Sequence, residues 1–159
     1  MRLDSLLRYA LISVVALSVV SCSGTRKLLN IDTAAELTVI TSKDVNPDQD
    51  GRPSPIVIKV FALTDDRQFK REDFLSLYEN PPERLGSDLI DTFTLQEFSP
   101  EETRTETVKL TPETQFIGLM AEYAQYDKAK ALLILPVTPH KKTSYTIRAE
   151  RLRIVNADE

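Results

Sequence analysis

The sequence predicts one all-β domain, a sandwich that carries a short helical insertion between its early strands. Most segments after residue 36 either alternate apolar and polar residues or form short continuous apolar runs, as strands do. Turn-forming residues separate these segments at short intervals. One segment, residues 66–82, instead has the composition of a helix. Apolar residues make up 42% of the chain, which is enough for one packed core.

The first 21 residues have the layout of a secretory signal peptide. Arg2 and Arg8 supply a positive start, and Tyr9 to Val20 form an apolar run. A membrane-spanning helix needs about 20 apolar residues, so this run is too short to span comfortably. We therefore predict a signal peptide over residues 1–21. The alternatives are an ordinary signal peptide with an incidental cysteine beside it, or an uncleaved amino-terminal anchor.

The single cysteine of the chain, Cys22, follows this run directly. The four residues Val19–Val20–Ser21–Cys22 resemble the bacterial lipobox, which implies cleavage before Cys22 and a diacylglycerol on its sulfur. The new amino terminus would be acylated as well, and two or more acyl chains hold a protein stably on a bilayer. In bacterial lipoproteins, an Asp directly after the modified cysteine is typical of retention at the inner membrane. Ser23 occupies this position here, and the resemblance therefore implies sorting to the outer membrane. Without a second cysteine, no intramolecular disulfide can form.

The charge of the chain argues against a nucleic-acid binder. The full chain has 20 basic and 24 acidic side chains. Removal of residues 1–21 would take away two arginines and one aspartate, which leaves 18 basic and 23 acidic groups. A protein that neutralises phosphates carries an excess of positive charge, and this one is mildly acidic.

Residues 22–35 are predicted to form a lipidated tether, and residues 36–159 the β-sandwich domain. The tether has weak periodicity, although part of it can be ordered against the domain. Continuous apolar runs at 115–123 and 131–137 predict central strands. The predicted strands cover residues 36–42, 55–63, 89–98, 105–110, 115–123, 131–137 and 143–155.

Two of these strands allow a prediction about side-chain direction. In the strand at 55–63, Ile56, Ile58 and Val60 share one face and are expected to point inward. In the last strand, the apolar residues change from odd-numbered positions, such as Ile147, to even-numbered positions, such as Ile154. Since a strand has a period of two, we predict a β-bulge or bend near Glu150–Arg151.

The helical insertion is predicted at about residues 71–79, and it stops at the double proline Pro81–Pro82. Phe69 and Phe74 are spaced like a hydrophobic staple around a cap at Lys70, although lysine is a poor cap. The residues expected to dock on the sheet are Phe74, Leu75 and Tyr78.

No motif in the chain calls for catalysis or a metal. His140 is the only histidine and has no cysteine or second histidine to share zinc, so a solvated turn residue is expected. The carboxylate pairs Asp65–Asp66 and Glu101–Glu102 flank turns or a helix start. No nucleophile elbow, phosphate-binding loop or dinucleotide fingerprint is present. No cofactor or small-molecule substrate is expected.

The stretch "NPDQDGRPSP" (46–55) raises the question of calcium. Asn46, Asp48, Asp50 and Gly51 match the opening of an EF-hand loop, but the twelfth position is Val57 instead of a bidentate Glu. The proline content also excludes an exiting helix. Two interpretations remain open, a solvated turn between the first two strands and a stiff recognition loop.

This turn, the aliphatic strand after it and the Phe-, Asp- and Leu-containing helix resemble the TssJ family of type VI secretion lipoproteins. "LGSDLI" and "LTPETQFIGLMAEYAQYDKAKALLILPV" fit later segments of that family, and with the lipobox the resemblance covers nearly the whole chain. The sequence departs from the family at Ala131–Leu132, where Trp-Arg is frequent, and at Thr111–Pro112–Glu113, where a Pro-Gly turn is frequent.

The resemblance implies a transthyretin-like β-sandwich on the periplasmic face of the outer membrane. It also implies binding to the periplasmic C-terminal region of TssM during assembly of the trans-envelope complex. The loop between the first two strands, about Asp44–Ser54, carries the implied contact. Its candidate residues are Asp44, Asn46, Pro47, Asp48, Gln49, Asp50, Gly51, Arg52 and Pro53. The alternatives are a ligand-carrying or chaperone-like lipoprotein, which a deep apolar pocket would favour, and an enzyme.

Overall fold

The structure is a computed structural model that describes residues 32–158, and eight strands and two α-helices lie within them. The helices are α1 (Phe74–Glu79) and α2 (Pro81–Leu85). Short 3-10 turns cover Phe69–Arg71 and Gly86–Asp88. The strands are β1 (Thr33–Thr41), β2 (Ile58–Leu63), β3 (Leu89–Thr94), β4 (Thr103–Leu110), β5 (Phe116–Ala121), β6 (Leu132–Pro136), β7 (Lys142–Glu150) and β8 (Arg153–Asn156).

The strands form two four-stranded sheets, which confirms the predicted β-sandwich. The first sheet has the order β4-β1-β7-β8 and the second the order β3-β2-β5-β6. All pairs are antiparallel except β1 with β7, which run in the same direction. The helical insertion lies between β2 and β3, as predicted.

Strand β1 begins at Thr33, three residues before the predicted start. Residues 33–35 of the predicted tether therefore belong to the sheet. The amide of Ala34 donates to the carbonyl of Lys141 at 3.2 Å, and the Thr33 hydroxyl accepts from the amide of His140 at 2.9 Å. These partners come from the turn before β7, 107 residues further along the chain, so local periodicity could not reveal them.

The space between the two sheets is filled by apolar side chains. Ile56, Ile58 and Val60 are each at most 1% exposed and belong to this core, as predicted from their shared face. Leu37 and Val39 of β1 face them from the first sheet. Each such side chain contributes about 1.5–3 kcal/mol through its burial.

The second sheet is covered on its outer face as well. Six side chains form a second apolar cluster between this sheet and the helical segment, namely Phe61, Leu63, Phe69, Leu77, Leu85 and Met120. Gly118 of β5 makes the close approach possible, because a Cβ there would lie 2.4 Å from Cε2 of Phe69. The continuous apolar runs in β2, β5 and β6 thus reflect a sheet that is covered on both sides.

One strand position differs from the prediction. β5 is central, but β6 lies at the edge of the second sheet. Leu132 and Ile134 contact the helical cluster, whereas Leu135 belongs to the inter-sheet core. A continuous apolar run therefore indicates that both faces of a strand are buried. It does not indicate that the strand has a neighbouring strand on each side.

The helical segment is divided where the sequence suggested one helix. Lys70 lies in a 3-10 turn, and the cap of α1 is Asp73, whose carboxylate accepts the amide of Ser76 at 2.8 Å. Helix α1 ends before the double proline, as predicted, but Pro81 then opens α2. Proline suits the first position of a helix, where its missing N–H is not needed.

The predicted strand 143–155 is a β-hairpin. β7 and β8 pair with Glu150 opposite Arg153, and Arg151–Leu152 form the two-residue turn between them. We predicted a β-bulge or bend near Glu150–Arg151: the chain does turn at this point, but it makes a tight reversal and not a bulge within one strand. A two-residue turn reverses the chain and shifts the inward-facing positions from Ala149 to Ile154, which are cross-strand partners.

The sandwich has two distinct ends. At the tether end, β1 begins at Thr33 and β7 at Lys142. At the loop end, β1 finishes at Thr41 and β7 at Glu150. Nine residues at about 3.3 Å each separate these ends by roughly 30 Å. The loop from residue 42 to 57, the β1–β2 loop, therefore emerges at the end opposite to the tether.

Candidate functional site

The β1–β2 loop has a buried base and an exposed tip. Val45, Asn46 and Pro47 are buried, and Val45 belongs to the inter-sheet core. Gln49 to Pro53 are exposed, with Asp48 at the boundary. The nine predicted site residues thus separate into a group that holds the loop and a group that faces solvent.

Asn46 anchors the base of the loop. Its side chain is 5% exposed, its Nδ2 donates to the carbonyl of Pro55 at 2.7 Å, and its Oδ1 accepts the amide of Ala124 at 2.7 Å. Its backbone has φ 47°, in the left-handed region where asparagine is among the better tolerated residues. The Ser54 hydroxyl donates to the carbonyl of Asn46 at 2.5 Å. Asn46 is therefore a structural residue that is buried from direct contact with other molecules.

Gln125, on the loop between β5 and β6, holds the loop from the other side. Its Nε2 donates to the carbonyls of Pro47 at 3.1 Å and Asp48 at 2.9 Å. Gln125 lies 77 residues from Asp48 in the sequence, so no local sequence pattern predicts its role at the loop. The β5–β6 loop and the β1–β2 loop consequently form one connected surface.

Asp44 attaches the loop to the β7–β8 turn. Its carboxylate accepts the Ser42 hydroxyl at 2.8 Å and lies 3.8 Å from Nη1 of Arg151. The amide of Asn46 donates to the carbonyl of Arg151 at 3.1 Å. The hydrogen bond from Ser42, the nearby Arg151 and the charge of Lys43 hold the pKa of Asp44 below its ordinary value.

Asp48 organises the tip. Its Oδ1 accepts the amides of Asp50 and Arg52, both at 2.9 Å, and its Oδ2 accepts Nε of Arg52 at 2.9 Å. The amide of Gly51 donates to the Asp48 carbonyl at 3.0 Å, with Gly51 at φ 80°. The backbone amide of Arg52 is the main reason that the pKa of Asp48 lies below its ordinary value. Both carboxylate oxygens thus bind the loop itself.

The tip presents charge in a fixed arrangement. Nη2 of Arg52 lies 2.7 Å from the Asp50 carboxylate, and both side chains are 73% exposed. Exposed ion pairs contribute about 0–1 kcal/mol to stability, so their energetic effect on the fold is small. They fix the orientation of the exposed Asp50 and Arg52 side chains.

The arrangement does not resemble a calcium loop. Val57 precedes β2, and its carbonyl accepts the amide of Glu122 at 2.9 Å. Within residues 32–158, no group of three or more His, Cys, Asp and Glu side chains is placed to hold a metal ion. His140 lies in a turn at the tether end, far from the loop, at φ 55°.

The docking prediction for α1 is wrong for two of its three side chains. Leu77, which the sequence analysis did not select, is fully buried, whereas Leu75 and Tyr78 are 43% and 48% exposed. Leu77 lies three residues after Phe74, on the face of α1 that meets the sheet. Phe74 is half-buried and contacts both apolar clusters.

Two further observations concern the membrane and the alternative functions. No helix among the described residues is long and apolar enough to cross a bilayer. Cys22 and the signal segment lie outside the described residues. Between the sheets, buried apolar side chains of both sheets form one continuous cluster.

The chain matches the model of T6SS-SciN, the type VI secretion lipoprotein family of VasD, EvfM and TssJ, over residues 33–152. No curated protein gives a significant match. Among solved structures, the chain is similar to the T6SS lipoprotein TssJ1 from Pseudomonas aeruginosa. The identity is 24%, the TM-score is 0.72, and the match covers 79% of this chain and 95% of the other.

Two more solved structures share the fold. The match to Serratia marcescens Lip, a membrane-bound component of the type VI secretion system, has 22% identity and a TM-score of 0.73, and covers 81% and 99% of the two chains. The match to a chain in the structure of the T6SS protein TssM C-terminal domain (869–1107) from EAEC has 18% identity and a TM-score of 0.64, and covers 78% and 97%.

Proposed function

The chain belongs to the type VI secretion lipoprotein family that includes TssJ, and from this membership we propose that it links the outer membrane to the periplasmic C-terminal region of TssM. In this proposal, acyl chains on Cys22 hold the protein on the periplasmic face of the outer membrane. The β1–β2 loop binds the partner. The role is structural, and no catalytic step is involved.

The observation that carries the proposal is the placement of the loop. β1 starts next to the predicted tether and leads directly into the loop at the opposite end of the sandwich. A protein held by its amino terminus therefore presents Gln49 to Pro53 away from the bilayer. A chain of the same fold also occurs in a structure of the TssM C-terminal domain, which supports the choice of partner.

The anchoring of the loop supports a binding role for it. Association costs free energy for every segment that must be ordered, and a segment held in one conformation avoids much of that cost. Asn46 and Gln125 fix the base, and Asp48 fixes the tip through three hydrogen bonds. A loop that served only as a connection would not need so many side-chain contacts.

Calorimetry with the TssM C-terminal region tests the loop. Asp48→Ala removes the bonds that shape the tip, so we expect weaker binding with little change in the unfolding of the sandwich. Asp65→Ala is the matched control, because the Asp65 carboxylate accepts the amide and Nε of Arg67, both at 2.9 Å, in a turn near the tether end. Equal affinities for the Asp48 variant and the wild type would show that the loop is not the contact.

Mass spectrometry of the membrane-extracted protein tests the anchor. We expect a processed chain that begins at Cys22 and carries acyl groups, and a Cys22→Ser variant that lacks them and is lost from the membrane fraction. Recovery of the processed wild type as a soluble species with a free thiol would contradict the proposed localisation.

A further inference from the structure

The exposed large apolar side chains of this protein converge on one surface. Within residues 32–158, the exposed large apolar residues are Leu75, Tyr78 and Tyr126, which are 43%, 48% and 41% exposed. Leu75 and Tyr78 lie on α1, and Tyr126 lies on the β5–β6 loop. Together with half-buried Phe74 they form what we call the aromatic surface. Contiguous exposed apolar groups mark interaction sites more often than scattered ones do.

The rings of this surface are held in place by one another. Phe74 stacks between Tyr78 and Tyr126, with ring centroids 5.7 Å and 5.2 Å away and interplanar angles of 18° and 12°. Nζ of Lys59 lies 4.7 Å from the centroid of the Tyr78 ring and 2.8 Å from the Glu122 carboxylate. The surface is therefore ordered before any partner arrives.

A groove of about 460 Å³ runs beside Phe74 and Tyr126. Its apolar wall includes Leu75 and Leu132, and its charged groups are Asp73, Asp127 and Lys130. The groove has room for a large apolar side chain. The two carboxylates against one ammonium favour a basic group next to that side chain.

The aromatic surface is continuous with the loop that we propose binds the partner. Tyr126 directly follows Gln125, whose Nε2 holds the carbonyls of Pro47 and Asp48. A stable interface buries about 800 Å² on each partner and involves 20 to 30 residues on each side. The exposed tip, Gln49 to Pro53, is far smaller than that. The interface must therefore extend beyond the tip, and the aromatic surface is the adjacent region that offers apolar anchors.

We propose that the aromatic surface is the second half of the partner-binding site and receives an apolar side chain flanked by a basic residue. The inference rests on the proposed function, because the occupant belongs to the same partner protein that contacts the loop. Buried aromatic and aliphatic anchors contribute most of the affinity in such interfaces, whereas polar groups at the rim set the register.

Calorimetry of the full chain with the TssM C-terminal region tests this site separately from the loop. We expect Leu75→Lys and Tyr126→Ala each to weaken binding about tenfold or more, because one introduces repulsion and the other removes an anchor. Tyr126→Phe keeps the ring and should bind as the wild type does. Thr107→Lys adds the same charge on exposed β4 and should have no effect.

The possible results are distinguishable. If the wild type binds, Asp48→Ala weakens binding and the two groove variants bind normally, the aromatic surface is not part of the interface, while the proposed function stands. If the wild type does not bind, both proposals fail. Should sedimentation reveal self-association of the wild type that Leu75→Lys abolishes, the surface takes a second copy of this chain and the inference is wrong. Urea unfolding of each variant shows whether a loss of binding reflects a loss of fold.

Discussion

The loop anchor Asn46 gives the sharpest test of how this protein presents its tip. Asn46→Ala removes the hydrogen bonds to Pro55 and Ala124, both of 2.7 Å, from a site that is 5% exposed. Each neutral bond contributes about 1 kcal/mol net. Alanine at φ 47° adds about 1 kcal/mol of steric cost. We therefore expect the free energy of unfolding to fall by about 3 kcal/mol, a large part of the 5–15 kcal/mol typical of a domain.

A matched variant separates the two contributions. Asn46→Gly loses the same hydrogen bonds but tolerates the left-handed backbone, so it should be less destabilised than Asn46→Ala by about 1 kcal/mol. Urea unfolding followed by circular dichroism measures both differences, and hydrogen exchange at the Ala124 amide reports the lost bond directly. If Asn46→Ala changed the unfolding free energy by under about 0.5 kcal/mol, or Asn46→Gly were the more damaging, the anchor assignment would be refuted.

Three other predictions concern stability and pH. Gly118→Ala should destabilise the fold by about 1–3 kcal/mol because its methyl group would meet the Phe69 ring, and Phe69→Leu in the same chain should relieve part of the loss, as measured by thermal unfolding. Gly51→Ala should cost only about 1–2 kcal/mol, since φ is 80° but no atom lies within 4 Å of the added methyl; a larger loss in urea unfolding would show an unseen contact. The Arg52 amide lowers the pKa of Asp48 below its usual 3.8, so the ordering of the tip should be complete at neutral pH and vanish as the pH falls through that lowered value. An NMR titration of the Asp48 carboxyl carbon that showed an ordinary pKa would contradict this.

The sequence indicated the β-sandwich because its strongest signals are local. The alternation in β1 and the apolar run of β2 can be recognised within a few residues, and Ile58 and Val60 were assigned to the correct face. The position of β6 could not be recognised in this way. An apolar run indicates that both faces of a strand are buried. In this fold, the outer face of the second sheet is buried by the helical segment.

Turns and helix starts were harder, for reasons that are also physical. The hairpin at Arg151–Leu152 lacks the Gly or Asn that usually marks a two-residue turn, so a bulge explained the parity change equally well. The start of α1 was misplaced because the apolar spacing around Lys70 outweighed the better cap, Asp73.

The candidate site was predicted only in part. Aspartate, glycine and proline mark an exposed, stiff turn, and Gln49 to Pro53 do form one. The buried role of Asn46 depends on Ala124, 78 residues away, and the role of Gln125 depends on carbonyl groups of the loop. Contacts between distant segments are set by the packing of the two sheets, which no local pattern encodes.

The course of β1 has a mechanical consequence. A single strand, β1, connects the start of the domain to the β1–β2 loop, and it lies inside its sheet, paired with β4 on one side and β7 on the other. In the proposed arrangement, with the lipid at one end of β1 and the partner on the loop at the other, a pull between them runs along the covalent backbone of β1, and the hydrogen bonds to β4 and β7 hold the strand in its sheet. Such a pull would act on a central strand and would not peel an edge strand from the sheet.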